Sequence, residues 1–283
     1  MAKKAWAKFP YDAKAFTYAG DKLAKQWKAL HAGDCEWFPD EAEVSKRLKK
    51  NSKLGKPADA AKIAEQLHAA WTDYHCGNFQ AAFEAGEALG PLGVSVAVKA
   101  AGIHAVHLLD DEKEQLKRWE SLVALAETAI EALPDEANSH FRHAFALGRY
   151  SQSISIAKAL TQGLAGKCKV SLDKALKLAP KHAEAHSALG LYHAEIINKV
   201  GAMIGGLTYG AKASTGEELL AKAVKLTPKA PIAHVEFANG LILLYGSKRE
   251  DDAAEAFDAA TKLKPLDAME KLDLEFAKAQ LED

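Results

Sequence analysis

Histidine supplies the first spacings in this sequence that could do chemistry. Of eleven histidines, His104 and His107 stand three residues apart, as do His140 and His143, while His182 and His186 stand four apart. Each spacing sets two imidazoles on one side of a helix, the beginning of a zinc site. Zinc also needs a third and a fourth ligand. Asp110 and Asp111 follow His107, but they fall at a helix end, where carboxylates cap the next helix. The HExxH pattern is missing, so neither metal ligands nor a metal cofactor is expected.

Nucleophiles fare no better. The cysteines Cys35, Cys76 and Cys168 are odd in number, far apart and without a CxxC pair, which argues against a disulfide framework. Cys168 falls where a small residue packs inside a helix, so a buried, unreactive thiol is expected. There is no GxSxG, and the carboxylate pairs Asp110/Asp111 and Asp251/Asp252 precede helices as ordinary amino-terminal charge. The stretch "GGLTYGAKAST" holds Gly and Lys without the Lys-Ser/Thr of a phosphate loop. It leaves Tyr209 and Lys212, flanked by Gly205, Gly206, Gly210 and Gly216, as candidates for holding a small ligand. No catalytic residue, no organic cofactor and no enzyme activity are expected.

Charge narrows the partners. The formal net charge is −1, so no global field favours nucleic acid or an anionic membrane. The tract "SKRLKKNSKLGK", 45–56, carries six basic residues and no acid, but it lacks the interleaved aromatics of a single-strand binder. A solvated connector with a short helix is expected there, with no nucleic-acid partner. No apolar run reaches the roughly 18 residues of a membrane span, and none follows the first lysines as in a signal peptide. A cytoplasmic location is the resulting expectation.

The elements that position these side chains come from an echo. Pro134, Pro180 and Pro228 are each followed six residues later by His140, His186 and His234. The prolines 57, 91, 134, 180, 228 and 265 are spaced by 34, 43, 46, 48 and 37 residues. Five residues before each proline from 91 onward sits a small residue: Gly86, Ala129, Ala175, Ala223, Ala260. After each proline, positions +6, +9, +10 and +13 share one helical face, with each residue advancing about 100°. That face reads His140, His143, Ala144, Leu147 in one unit and His186, Leu189, Gly190, His193 in the next. Each unit is thus helix, turn, helix, closed by a proline that cannot continue the ladder. The repeated histidine is expected to pack between helices and still reach a hydrogen-bond partner.

These units resemble tetratricopeptide repeats, on the small residues before the closing proline, the Ala/Gly ten after it, and "SALGLYHAE" at 187–195. The longer third and fourth units, with "LGRYSQSISIAKAL" and "KVGAMIGGLTYGAKAS", also resemble the regulator-of-microtubule-dynamics-like proteins and their bacterial relatives. The implied fold is an all-α helical-repeat solenoid. Residues 1–57 read as an amino-terminal helix, near 11–31, plus the basic connector. Residues 58–265 read as the helix-pair array, with insertions near 149–166 and 196–216, and 266–283 as a capping helix.

The resemblance further implies a concave groove that takes a protein or peptide, or a second copy of the chain. Positions +4, +7, +11 and +15 lie opposite the packing face and would line it. They are Asn138, Phe141, Phe145 and Arg149, then Glu184, Ser187, Leu191 and Glu195, then Ile232, Val235, Asn239 and Leu243. The expected function is a non-catalytic scaffold or adaptor. The alternative is an accessory protein holding a small molecule at the Gly-rich insertion. The insertions are expected to stand side by side as a ridge beside the groove, unless Ile204, Leu207 and Tyr209 instead form a core plug.

Overall fold

Proline placement and helical periodicity account for nearly the whole chain. Residues 5–282 are described by the structure, a computed structural model, and no strand occurs among them. Ahead of the repeats lie α1 (Asp21–Leu30) and α2 (Glu41–Lys50). The repeats follow as five antiparallel pairs. The first is α3 (Ala60–His75) with α4 (Phe79–Ala88), and the second α5 (Val94–His107) with α6 (Glu112–Ala132). The third is α7 (Ala137–Gln152) with α9 (Leu164–Leu178), the short α8 (Ile156–Thr161) lying between them. Next come α10 (Ala183–Tyr209) with α11 (Ala213–Leu226), and α12 (Pro231–Tyr245) with α13 (Glu250–Thr261). The chain ends in α14 (Ala268–Glu282).

The small residues let the two helices of a pair approach. Ala175, Ala223 and Ala260 are wholly buried. At Gly190 a Cβ would meet Leu220 Cγ at 2.6 Å and the Gly216 carbonyl oxygen at 2.9 Å, so only glycine admits α11 at this distance. The two packing faces read from the repeat are buried: His140, His143, Ala144 and Leu147, then His186, Leu189, Gly190 and His193.

The proline-histidine echo is a hydrogen bond made three times. His140 Nε2 donates to the Pro134 carbonyl at 2.8 Å, His186 to Pro180 at 3.0 Å, and His234 to Pro228 at 2.9 Å. A carbonyl can only accept, so Nε2 carries the proton in all three. Each bond ties the turn after one pair to the first helix of the next.

Three expectations need correction. The helix foreseen over 11–31 begins only at Asp21, because Gly20 turns the chain at φ +58°. The basic tract is not merely a solvated connector: Asp40 caps α2 by accepting from Glu43 N, and Arg47 is buried against Trp37 and bridges Glu43 and Glu136. The core plug also fails, since Ile204 is 51% and Leu207 85% exposed. Residues 202–209 instead form a separate helical piece, because Gly201 breaks α10 at φ +81°.

The carboxyl-terminal helix does more than cap. Its Ala277 packs with Val235 and Leu241 of α12 and Phe257 of α13. Its other end crosses to the first pair, where Met269 and Leu272 join the cluster of Trp27, Trp71 and Tyr74. Tyr74 donates to Met269 Sδ at 2.9 Å, and His75 Nδ1 lies 2.8 Å from Asp267. The array therefore curls until its last helix touches its first pair.

Candidate functional site

That curl encloses the inner face. The first helices of the pairs, α5, α7, α10 and α12, wall a concave cavity of about 660 Å³, with α14 on one side and residues 29–33 at one end. Of the twelve groove positions read from the repeat, eleven line it: Phe141, Phe145, Arg149, Glu184, Ser187, Leu191, Glu195, Ile232, Val235, Asn239 and Leu243. Asn138 does not. It is buried at the end of the groove that the chain itself fills.

The filling segment is His31–Glu36, and it carries a dense buried polar network. Asp34 is fully buried, and its carboxylate receives Lys99 Nζ at 2.6 Å, Arg142 Nη2 at 2.6 Å and His31 Nδ1 at 2.9 Å. Burial alone would raise its pKa, but Lys99, His31 and Arg142 hold it well below the usual carboxylate range. Glu184 completes the charge balance, 3.0 Å from Lys99 and 3.5 Å from Arg142, and its backbone N donates to the Gly33 carbonyl at 3.0 Å. Two cations thus face two carboxylates. A buried network of this kind is tolerable because each ion has a partner.

Asn138 links this network to the next pair. Its Nδ2 donates to the Asp34 carbonyl at 2.9 Å and to Glu36 Oε2 at 2.8 Å, while its Oδ1 accepts from His182 Nε2 at 3.0 Å. His182 Nδ1 in turn accepts from Ala185 N and caps α10. Glu36 also accepts from the Ser95 hydroxyl, and burial, aided by Asp34, pushes its pKa to about 7.

The buried histidines make acid the weak side of this fold. Burial depresses His182 to about 3 and both His31 and His104 to about 4. A base whose folded pKa lies below its unfolded value stabilises the fold fully above the unfolded pKa, near 6.5, and loses that contribution as pH falls toward the folded one. Glu36 and Glu270, raised to about 7 and about 8, act with opposite sign, stabilising below the unfolded carboxyl pKa and losing this as pH rises through those values. His182→Asn, which can still cap α10, isolates one contribution. The variant is expected to be less stable than wild type at pH 7, with the gap closing by about 2–3 kcal/mol by pH 4.5. Urea titrations at the two pH values check this, and parallel losses would contradict it.

None of the histidine pairs converges on a metal. His104 accepts from Arg118 Nη1 at 2.7 Å and donates Nε2–H to the Ala7 carbonyl, whereas His107 lies 3.3 Å from Asp273. His143 meets Ser171 Oγ at 2.8 Å. Among the described residues no three His, Cys, Asp or Glu side chains are grouped as metal ligands. Asp111 caps α6 by accepting from Lys113 N and Glu114 N. Cys168 is enclosed, and burial pushes its thiol to about 12.

Both inserted segments border the cavity. Ile156 and Leu160 come from the first, Val200 and Tyr209 from the second, and Gln152 Nε2 donates to Glu195 Oε1 at 3.1 Å to join α7 to α10. Lys212 stands apart. It is exposed, its backbone N–H donates to His193 Nδ1 at 3.2 Å, and its carbonyl accepts from Gly216 N at 3.0 Å.

Several residues central to the inner face escaped the groove reading. Lys99, Arg142 and Glu236 each stand eight residues after a proline, a position only about 40° from +4 around the helix. That repeated charge was the available signal. Asp34 and Glu36 had none, because they belong to a loop outside the repeat.

No protein-family model matches the chain, and no curated protein matches it. Among solved structures it is similar to a thermophilic TPR protein of Thermus thermophilus, with a TM-score of 0.54 and 15% identity, covering 77% of this chain and 99% of that one. It is also similar to an IFIT1 monomeric mutant with m7Gppp-AAAA, with a TM-score of 0.42, 15% identity and 86% of this chain covered. The human IFIT1 dimer with PPP-AAAA gives a TM-score of 0.40, 15% identity and 85%. In both, this chain spans only 59% of the other, and the likeness carries no argument about ligands. The fold is a TPR-like helical repeat, and no helix among the described residues is long and apolar enough to cross a membrane.

Proposed function

We propose that this chain is a non-catalytic scaffold that grips a short segment of a partner protein in its concave cavity. The observation carrying this is the cavity itself: about 660 Å³ of space on the inner face, walled by Phe145, Leu191, Ile232 and Leu243 among others. Apolar and aromatic walls with a few placed polar groups are the composition of a binding site. The charges at one end are already satisfied by the chain's own Asp34, so the open part of the groove, from α7 to α12, is where a partner segment docks. The two insertions form one rim of that opening.

A second reading has one observation in its favour. The cavity is bounded by 29–33 at one end and flanked by α14, and its volume falls within the range of small-molecule sites, so a metabolite held beside Tyr209 is the competing occupant. Photo-crosslinking separates the two. Benzoylphenylalanine replacing Ile242, 44% exposed at the cavity, is expected to capture one protein in extract of the native cell, and mass spectrometry should locate the link in one short segment. The same group replacing Val170, 69% exposed on α9 and outside the cavity, should not. Equal capture at both positions would sink the proposal, and a retained metabolite in native mass spectrometry would replace it with the second reading.

A further inference from the structure

The charges around the cavity do not cancel. Lys99 and Arg142 are consumed by Asp34 and Glu184. Lys199 lies 3.5 Å from Glu195, and Arg149 lies 3.7 Å from Glu236. Two carboxylates remain on the same wall, Glu270 and Asp273, one helical turn apart on α14. Among the described residues the nearest basic group to Asp273 is His107, 3.3 Å from Oδ1.

Asp273 gives an independent sign that something is missing. The residue is 1% exposed, it lines the cavity, and its Oδ2 is buried with no hydrogen-bond partner. A buried carboxylate oxygen left without a donor is costly, and such atoms are scarce in folded proteins. Glu270 Oε2 accepts from Leu266 N at 2.6 Å, a neutral donor only. Burial first, and Asp267 after it, push Glu270 to about 8, and burial raises Asp273 against the opposing pull of His107.

From this geometry we infer that the Asp273 and Glu270 end of the cavity receives the cationic side chain of a lysine or arginine in the bound segment, whose apolar neighbours lie along Phe145 and Leu191. The inference rests on reading the cavity as a peptide site and adds the chemistry of what it recognises. An ammonium or guanidinium against Glu270 and Asp273 supplies the counter-charge this end of the cavity lacks, and a turn of the Asp273 side chain, buried as it stands, lets its Oδ2 accept a charge-assisted bond. A bare metal ion fits less well, since no metal-binding group of three is present among the described residues. The polarity is the reverse of a site for an acidic tail, because the two basic residues that could have held one already hold Asp34.

Defined probes test it. Acetylated and amidated hexapeptide pools, randomised over apolar residues with Lys or Arg fixed at one central position, are titrated into the full chain by calorimetry. They are compared with pools carrying norleucine or glutamate there, and with cadaverine and agmatine as free amines. The basic pools are expected to bind at least ten-fold tighter than the norleucine pool and tighter than either amine. Asp273→Asn should erase that margin. Glu270→Lys, which plants a cation in the site, should do the same in a chain that still unfolds cooperatively. Binding of all peptide pools with equal affinity would overturn the cation site and leave the peptide groove standing. Binding of no pool would overturn both. Free amines that bind as tightly as the pools, and lose affinity with Asp273→Asn, would support the cation site and overturn the peptide as its source.

Discussion

Asp34→Ala is expected to lower the stability of the fold by about 3–5 kcal/mol, because it removes the anion and leaves two buried cations behind. Lys99 and Arg142 are 3% and 2% exposed, and each lies 2.6 Å from the same carboxylate oxygen of Asp34. Glu184 can compensate only one of them. With Asp34 gone, His31 Nδ1 also loses its acceptor, and the segment loses its hold on α5 and α7. Arg142→Met should cost less, since Lys99 still pairs with both Asp34 and Glu184 and an apolar side chain of similar length fills the space. Combining the two changes should cost less than their sum, as expected for groups that share one network. Urea denaturation of the four proteins in the cycle measures this. A loss below about 1 kcal/mol for Asp34→Ala would mean that residues 31–36 rest on the groove without holding it.

The repeat was legible because its grammar is local. Pro134 and His140 are six residues apart and bond to each other, and the small residues five before the prolines, Ala175, Ala223 and Ala260 among them, are wholly buried. Spacing therefore predicted both the pairs and the buried faces. The Asp34 network was illegible for the opposite reason. Its partners lie 65 and 108 residues away, and periodicity describes which residues share a face, not which distant loop that face meets. The return of α14 to the first pair is a third case. It follows from the curvature summed over five pairs, so "LDAMEKLDLEF" reads as a simple cap in sequence although Met269 packs near Trp71 and Tyr74. The cavity sits between these extremes. Its walls were legible as helix positions, but its closed end and its acidic wall required the long-range fold.

Filling that cavity should remove binding without harming the fold. Gly148 offers the cleanest route, since it lines the cavity from within α7 and a Cβ built there meets nothing within 4 Å. Its backbone is helical, so replacing glycine gives up backbone freedom only in the unfolded chain and favours the helix by up to about 1 kcal/mol. Gly148→Trp therefore places a large indole where a partner's side chains would lie, on a Cβ that meets no neighbour. The measurement is the affinity of wild type and Gly148→Trp for the segment captured at Ile242, alongside their melting temperatures. Affinity is expected to fall at least 100-fold, about 2.7 kcal/mol, with melting unchanged or raised. Unchanged affinity in a folded Gly148→Trp variant would contradict the concave cavity as the binding site.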